Sequence, residues 1–182
     1  MNVLEFLHTR QSNPNLQGEA PDEEAINNLI KAGMRVPDHA GLTPWHFTIV
    51  KDEGLEKLSK AFKSAAISDG AELAKIEKAQ KMPFRAPLII VVSTIYQQHI
   101  KVPKKEQLIA AGCAAHAIQM AATTLGYGAV WRTGDMSNHP LVKERLNIEL
   151  HEDIVGFLYI GDKSKELPIK SNKSFEDNVS YF

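Results

Sequence analysis

A single cysteine, Cys113, leaves the 182-residue chain without a partner for an internal disulfide. The fold must therefore hold by packing alone, which suits a reducing compartment. An excess of charge of one sign is also missing: 21 Lys and Arg against 22 Asp and Glu leave a net charge of −1. Electrostatic nucleic-acid binding depends on a basic excess, so no nucleic-acid partner is expected. Long uninterrupted apolar runs are scarce. The longest, residues 108–125, has about the length of one bilayer crossing. It is built largely of Ala, and His116, Gln119, Thr123 and Thr124 break it. That pattern predicts a buried helix of a soluble protein, and no membrane partner is expected. Glu5 and His8 interrupt the opening MNVLEFLHTRQS, so no export signal is read and the expected location is cytoplasmic. Internal repeats and low-complexity tracts are lacking too.

What remains is an ordinary globular composition, 43% apolar and 24% charged, with a length that predicts one domain over residues 1–182. Asn2 can cap a first helix whose apolar face is Val3, Leu4, Phe6 and Leu7. A loop over 13–20 leads to a second helix from Pro21, with Asp22, Glu23 and Glu24 at the positive end of its dipole. Pro37 pushes Val36 out of helical space and predicts a stop near Arg35. Strands are predicted at 45–50, 88–95, 129–132 and 154–160, and further helices at 55–62 and 141–146. The 88–95 strand is too apolar to be one-sided, so it belongs at the centre, covered on both faces. Gly126 stands where the long Ala-rich helix needs its C-terminal cap. The tail from Lys163 is polar and loop-like, yet ends in Tyr181 and Phe182. The class is α/β or α+β around a central sheet.

Several chemistries have no motif here. The glycines of GYGAV follow a helix, the wrong context for a phosphate loop, and no nucleophile elbow occurs. Among seven histidines there is no HExxH, and Asp38, His39 and His46 are too few to hold a metal. Two segments stand out. Arg10-Gln11-Ser12 ends the first helix; an Arg fork and a hydroxyl two residues apart can bind a phosphate, or simply form a capped, solvated helix end. Residues 32–47, AGMRVPDHAGLTPWHF, crowd Arg35, Asp38, His39, Trp45 and His46 around Pro37, Gly41 and Pro44. Such a loop either holds polar groups above a core or is a structural turn with Trp45 as its plug. On the Ala-rich helix, Gly112, His116, Gln119 and Thr123 share one stripe. It reads as a close-packed interface, or as a buried His and Gln satisfied by neighbouring backbone.

In this order and spacing the two segments resemble the nitroreductase family of flavin enzymes. That family carries an Arg-Arg-Ser motif and then a Pro-Ser-Ser-x-Asn-x-Gln-Pro-Trp loop. Its small YdjA-like branch is more similar still: RVPDHAGLTPWHF, PFRAPLI, His99-Ile100-Lys101-Val102-Pro103, Gly112-Cys113-Ala114, Trp131-Arg132-Thr133-Gly134, IVGFLYIG and the final Tyr181-Phe182 all match it. The resemblance covers nearly the whole chain.

It implies an α+β, nitroreductase-like three-layer sandwich, with a central mixed sheet flanked by helices. It further implies a homodimer holding FMN between subunits. The implied activity is hydride transfer from NAD(P)H through flavin N5 to a nitroaromatic, quinone or similar acceptor, without a catalytic side chain. A flavin-binding or storage protein with little turnover is the alternative. Carried over by position, Arg10, Gln11 and Ser12 match the residues at the FMN phosphate and ribityl end. Arg35 and His39 match contacts made across the dimer interface, and Trp131, Arg132 and Thr133 the segment along the flavin edge. Gln11 stands where the family has its second Arg, Asp38-His39 where it has Ser-Ser, and Gly41 where it has Asn.

Overall fold

The computed structural model describes residues 2–171 and 173–182. Helix α1 (Val3–Thr9) starts where Asn2 accepts the Glu5 N–H at 2.9 Å, and none of its residues is buried. The predicted loop contains a two-residue strand, β1 (Leu16–Gln17). Asp22, not Pro21, caps α2 (Glu23–Gly33), taking the Ala25 N–H at 2.8 Å. Strand β2 (Trp45–Lys51) follows, then α3 (Glu53–Ser68), longer than predicted, and α4 (Leu73–Lys81), which was not predicted. β3 (Leu88–Thr94) leads to the Ala-rich α5 (Lys104–Thr124), and β4 (Gly128–Arg132) to the short α6 (Asp135–Asn138) and α7 (Pro140–Arg145). β5 (Ile154–Lys163) closes the sheet.

The sheet runs β2-β3-β5-β4, with β1 paired to Asp162 and Lys163 at the end of β5. All four pairings are antiparallel, where the sequence reading anticipated a mixed sheet. Alternation sends the residues of the central strands to two cores. Ile89, Val91, Phe157 and Tyr159 meet Phe62, Ala65 and Ala79 of α3 and α4. Leu88, Ile90, Val92, Leu158 and Ile160 meet Leu29 of α2 and Ala115, Ile118 and Ala122 of α5. All seven β3 residues are buried, as a central strand covered on both faces requires. The result is the expected α+β three-layer sandwich. Gly33 lets α2 approach α5: a Cβ there would lie 2.9 Å from Ile118. No described helix is long and apolar enough to cross a membrane.

Candidate functional site

Arg10 is the C-cap of α1, its N–H closing onto Phe6 O at 2.9 Å. The chain then runs between α5 and β4, because Asn13 N–H donates to Ala129 O at 3.0 Å. Gln119, buried on α5, donates from Nε2 to Ser12 Oγ at 3.3 Å and to Ala129 O at 3.4 Å. Gln11 donates to the tail carbonyls of Leu167 and Pro168 at 3.2 and 2.9 Å. Two polar atoms of this strip are buried without a partner: Arg10 Nε and Gln11 Oε1. Arg10 and Gln11 line a cavity of about 300 Å³ together with Asn13, Thr123, Tyr127 and Lys163. Buried orphan donors and acceptors are costly, so a polar group arriving there relieves a real penalty. A larger cavity, about 640 Å³ between β2, α3 and Arg145–Asn147, contains none of the predicted site residues.

Arg35 and His39 lie elsewhere. Both are exposed, and His39 opens a 3₁₀ turn (His39–Gly41). Its Nδ1 sits 2.8 Å from Glu106 Oε2 in the first turn of α5. Trp45 is indeed the plug beneath, 5% exposed, with Nε1 donating to Met34 Sδ at 3.2 Å. Glu106 and Gln119 are separated by roughly 20 Å of helical rise. One chain therefore presents Arg10-Gln11-Ser12 and His39 towards opposite ends of α5.

The third segment is divided by strand alternation. Trp131 faces the α5 core, its Nε1 donating to Val155 O at 3.1 Å. Its indole occupies the space over Gly156, where a Cβ would fall 2.0 Å from Nε1. Arg132 turns to the other face, its guanidinium 5.6 Å from the Tyr159 ring centre. Arg132 Nε and the Tyr159 hydroxyl are both buried without partners. Burial pushes the Tyr159 hydroxyl up to about 12, against the pull of Arg132 and Arg85. Thr133 is exposed just beyond the strand. The side chains of 131 and 132 thus do not converge on one spot.

Of the stripe on α5, Gln119 is buried and satisfied, but His116 is exposed, so the buried-histidine reading is corrected. Sequence reasoning also missed a polar clamp at the end of β3. Glu152, 6% exposed, accepts from Thr94 Oγ1 at 2.7 Å and from Tyr96 N–H at 3.0 Å. Lys143 donates from Nζ to Glu152 O at 2.6 Å and Leu150 O at 3.2 Å. Tyr96 donates to Asp153 at 2.5 Å; desolvation and that hydrogen bond push its hydroxyl up to about 12. Nothing in the local pattern distinguishes these polar residues from solvated ones.

Comparison with known proteins gives one consistent family. The model described as "Nitroreductase family" matches residues 7–162. Over 161 residues the chain is 44% identical to the "Putative NAD(P)H nitroreductase YdjA" of Escherichia coli, covering 88% of each chain. It is 35% identical over 162 residues to a similarly named protein of Haemophilus influenzae, again covering 88% of each. Among solved structures, a nitroreductase-like family protein from Bacillus cereus superposes with a TM-score of 0.85 at 21% identity, covering 100% of this chain and 96% of that one. A nitroreductase with bound FMN from Bacteroides fragilis superposes at 0.75 and 23% identity, covering 100% of both. These two structures bear on the fold.

Proposed function

Because the chain belongs to the nitroreductase family, we propose that it is an FMN-dependent NAD(P)H oxidoreductase acting on a nitroaromatic, quinone or similar acceptor. The observation that carries this reading is an orphaned buried donor, Arg10 Nε, on a residue that lines a cavity of about 300 Å³. A guanidinium takes a phosphate through charge-assisted bonds, and Arg10 is the one held here with donor capacity to spare. Ser12 Oγ already accepts from Gln119 and keeps its own O–H to donate to a phosphate or ribityl oxygen. The residues present therefore fit the anionic end of FMN. Once bound, FMN supplies the redox chemistry, taking hydride from NAD(P)H and giving it to the acceptor. Trp131 is locked on Gly156 and Arg132 is turned to Tyr159. What residues 131 and 132 offer a ring edge is accordingly their main chain.

The same reading makes the site a composite of two chains. Three features support a homodimer. Arg10 and His39 are directed to separate ends of α5, so one chain alone does not bring them together. Leu108 and Ile109 of α5, and Val3, Leu4 and Leu7 of α1, are exposed apolar groups on helices. The tail ends in Tyr181 and Phe182, both fully solvated in the single chain. Exposed apolar surface on this scale marks an interaction surface, and a two-fold axis would bury each patch twice.

The test is the absorbance spectrum of the purified protein, before and after NADH or NADPH is added. A flavin band bleached by either nucleotide is the expected result. A flavin band that stays oxidised with both would favour a flavin-binding protein without turnover. A protein that neither carries nor takes up FMN would overturn the reading.

A further inference from the structure

The turn that carries His39 is held in an expensive conformation. Ala40 and Thr43 both adopt left-handed backbone, with φ of 64° and 48°, although neither is glycine. Such residues persist only where the surroundings over-determine them, and they cluster at functional sites. Here the bracing is visible. Asp38 Oδ2 accepts the Thr43 N–H at 2.6 Å, and Gln97 Nε2 donates to Leu42 O. Gln97 is in turn clamped by Gln107, buried to 1% exposure, whose Oε1 accepts the Gln97 N–H at 2.9 Å. Gln107 Nε2 donates back to Gln97 O at 2.8 Å and to Val102 O at 3.1 Å. The turn and the first turn of α5 thus form one braced unit. Its outcome is that His39 Nδ1 meets Glu106 Oε2, the neighbour of Gln107, at 2.8 Å.

We propose that Glu106 is a positioning residue that fixes the tautomer and direction of the His39 ring for the flavin. An ionised carboxylate only accepts, so the proton of a neutral His39 must sit on Nδ1. Nε2 is then the bare nitrogen left to accept from a ligand, and the ring is held from its other side, as a ligating histidine is held by its outer partner. The first-turn acid of α5 also favours the helix dipole, but that role alone sets no direction for an imidazole. This inference rests on the proposed flavin function for its consequence, not for its geometry.

The experiment has one arm without flavin and one with it. In the FMN-free chain, long-range proton–nitrogen correlations of the histidine rings report which nitrogen bears the proton. His39 is expected as the Nδ1–H form in the parent protein. Glu106→Ala should release it to the Nε2–H form favoured by a free imidazole, and Glu106→Gln, whose amide can accept or donate, should lie between the two. In the second arm, FMN itself is titrated by fluorescence quenching. Glu106→Ala and His39→Ala should each weaken binding roughly three- to tenfold, the span of one hydrogen bond. The double variant should lose no more than His39→Ala alone, since the two act as a unit. Both side chains are exposed, and unchanged melting temperatures would verify intact folding. An Nε2–H ring in the parent, or additive losses in the double variant, overturns the proposal. A chain that takes up no FMN overturns the flavin reading instead, and the first arm still decides the tautomer.

Discussion

Tyr159 shows what a buried, unpartnered hydroxyl does to one residue. It is 1% exposed, packed in the α3 core, and its hydroxyl is held up to about 12 chiefly by burial. A pKa raised on folding gives stability that is fully present below the unfolded value near 10. That stability is lost as pH rises towards about 12, at about 1.4 kcal/mol per pH unit. Tyr159→Phe should therefore flatten the fall of melting temperature between pH 10 and 12, leaving the part due to Tyr96. Near neutrality it should be neutral or stabilising by about 1 kcal/mol, because an unsatisfied group is removed. A fall of stability at neutral pH would show that the hydroxyl has a partner after all. Arg10 lies at the opposite extreme, a buried donor with a proposed ligand. Arg10→Ala should weaken FMN binding about ten- to hundredfold, the worth of a charge-assisted hydrogen bond. Hydride transfer in flavin-saturated protein should change far less. Full flavin on copurification and an unchanged titration would refute the phosphate role.

Within elements, strand alternation decides what a site can contain. Trp131 and Arg132 are neighbours in sequence but occupy opposite faces of β4, and the indole needs the bare Cα of Gly156 on the adjacent strand. Gly156→Ala should displace Trp131 and cost about 1–3 kcal/mol by overpacking. The shift would be read as a change of tryptophan fluorescence together with a lower melting temperature. An unaltered emission spectrum would show that the indole does not depend on this glycine. The strand at 129–132 was legible in the sequence, as were the two-faced burial of β3, the cap at Asn2 and the Trp45 plug, but the separation of residues 131 and 132 onto two faces was not drawn from it. α4 was not legible, because it docks through Ala79, its single buried residue, and the partly buried Ile76, too few to mark an apolar stripe among its Lys, Glu and Gln. β1 escaped for a different reason: two residues carry no periodicity, and only pairing with Asp162 and Lys163 defines them. The Glu152 clamp was invisible because its partners, Thr94 and Tyr96, come from a strand end far away in sequence. Arg10, Gln11 and Ser12 could be picked out, but that Gln119 holds Ser12 from α5 could only come from tertiary packing.

For the whole molecule, the question is which chain supplies which contact. Arg10-Gln11-Ser12 packs beside Gln119, while His39 rests on Glu106 at the other end of α5. In the proposed homodimer a two-fold axis would bring the first group of one protomer to the second group of its partner, and would do so twice. Each site then needs both chains. Consider a mixed dimer carrying Arg10→Glu on one chain and Arg35→Glu with His39→Glu on the other. One site collects all the damage, and its symmetry mate collects none. Each mutant homodimer has two damaged sites and should retain little flavin. The mixed dimer, isolated through two different affinity tags, should recover close to one FMN per dimer, measured by flavin absorbance against protein. Recovery follows from geometry alone and needs no assumption about how much each residue contributes. Had all contacts come from a single chain, both sites of the mixed dimer would be damaged. Flavin content no higher than in the parent mutants would therefore sink the shared site, while leaving the Arg10 phosphate contact to be judged on its own titration.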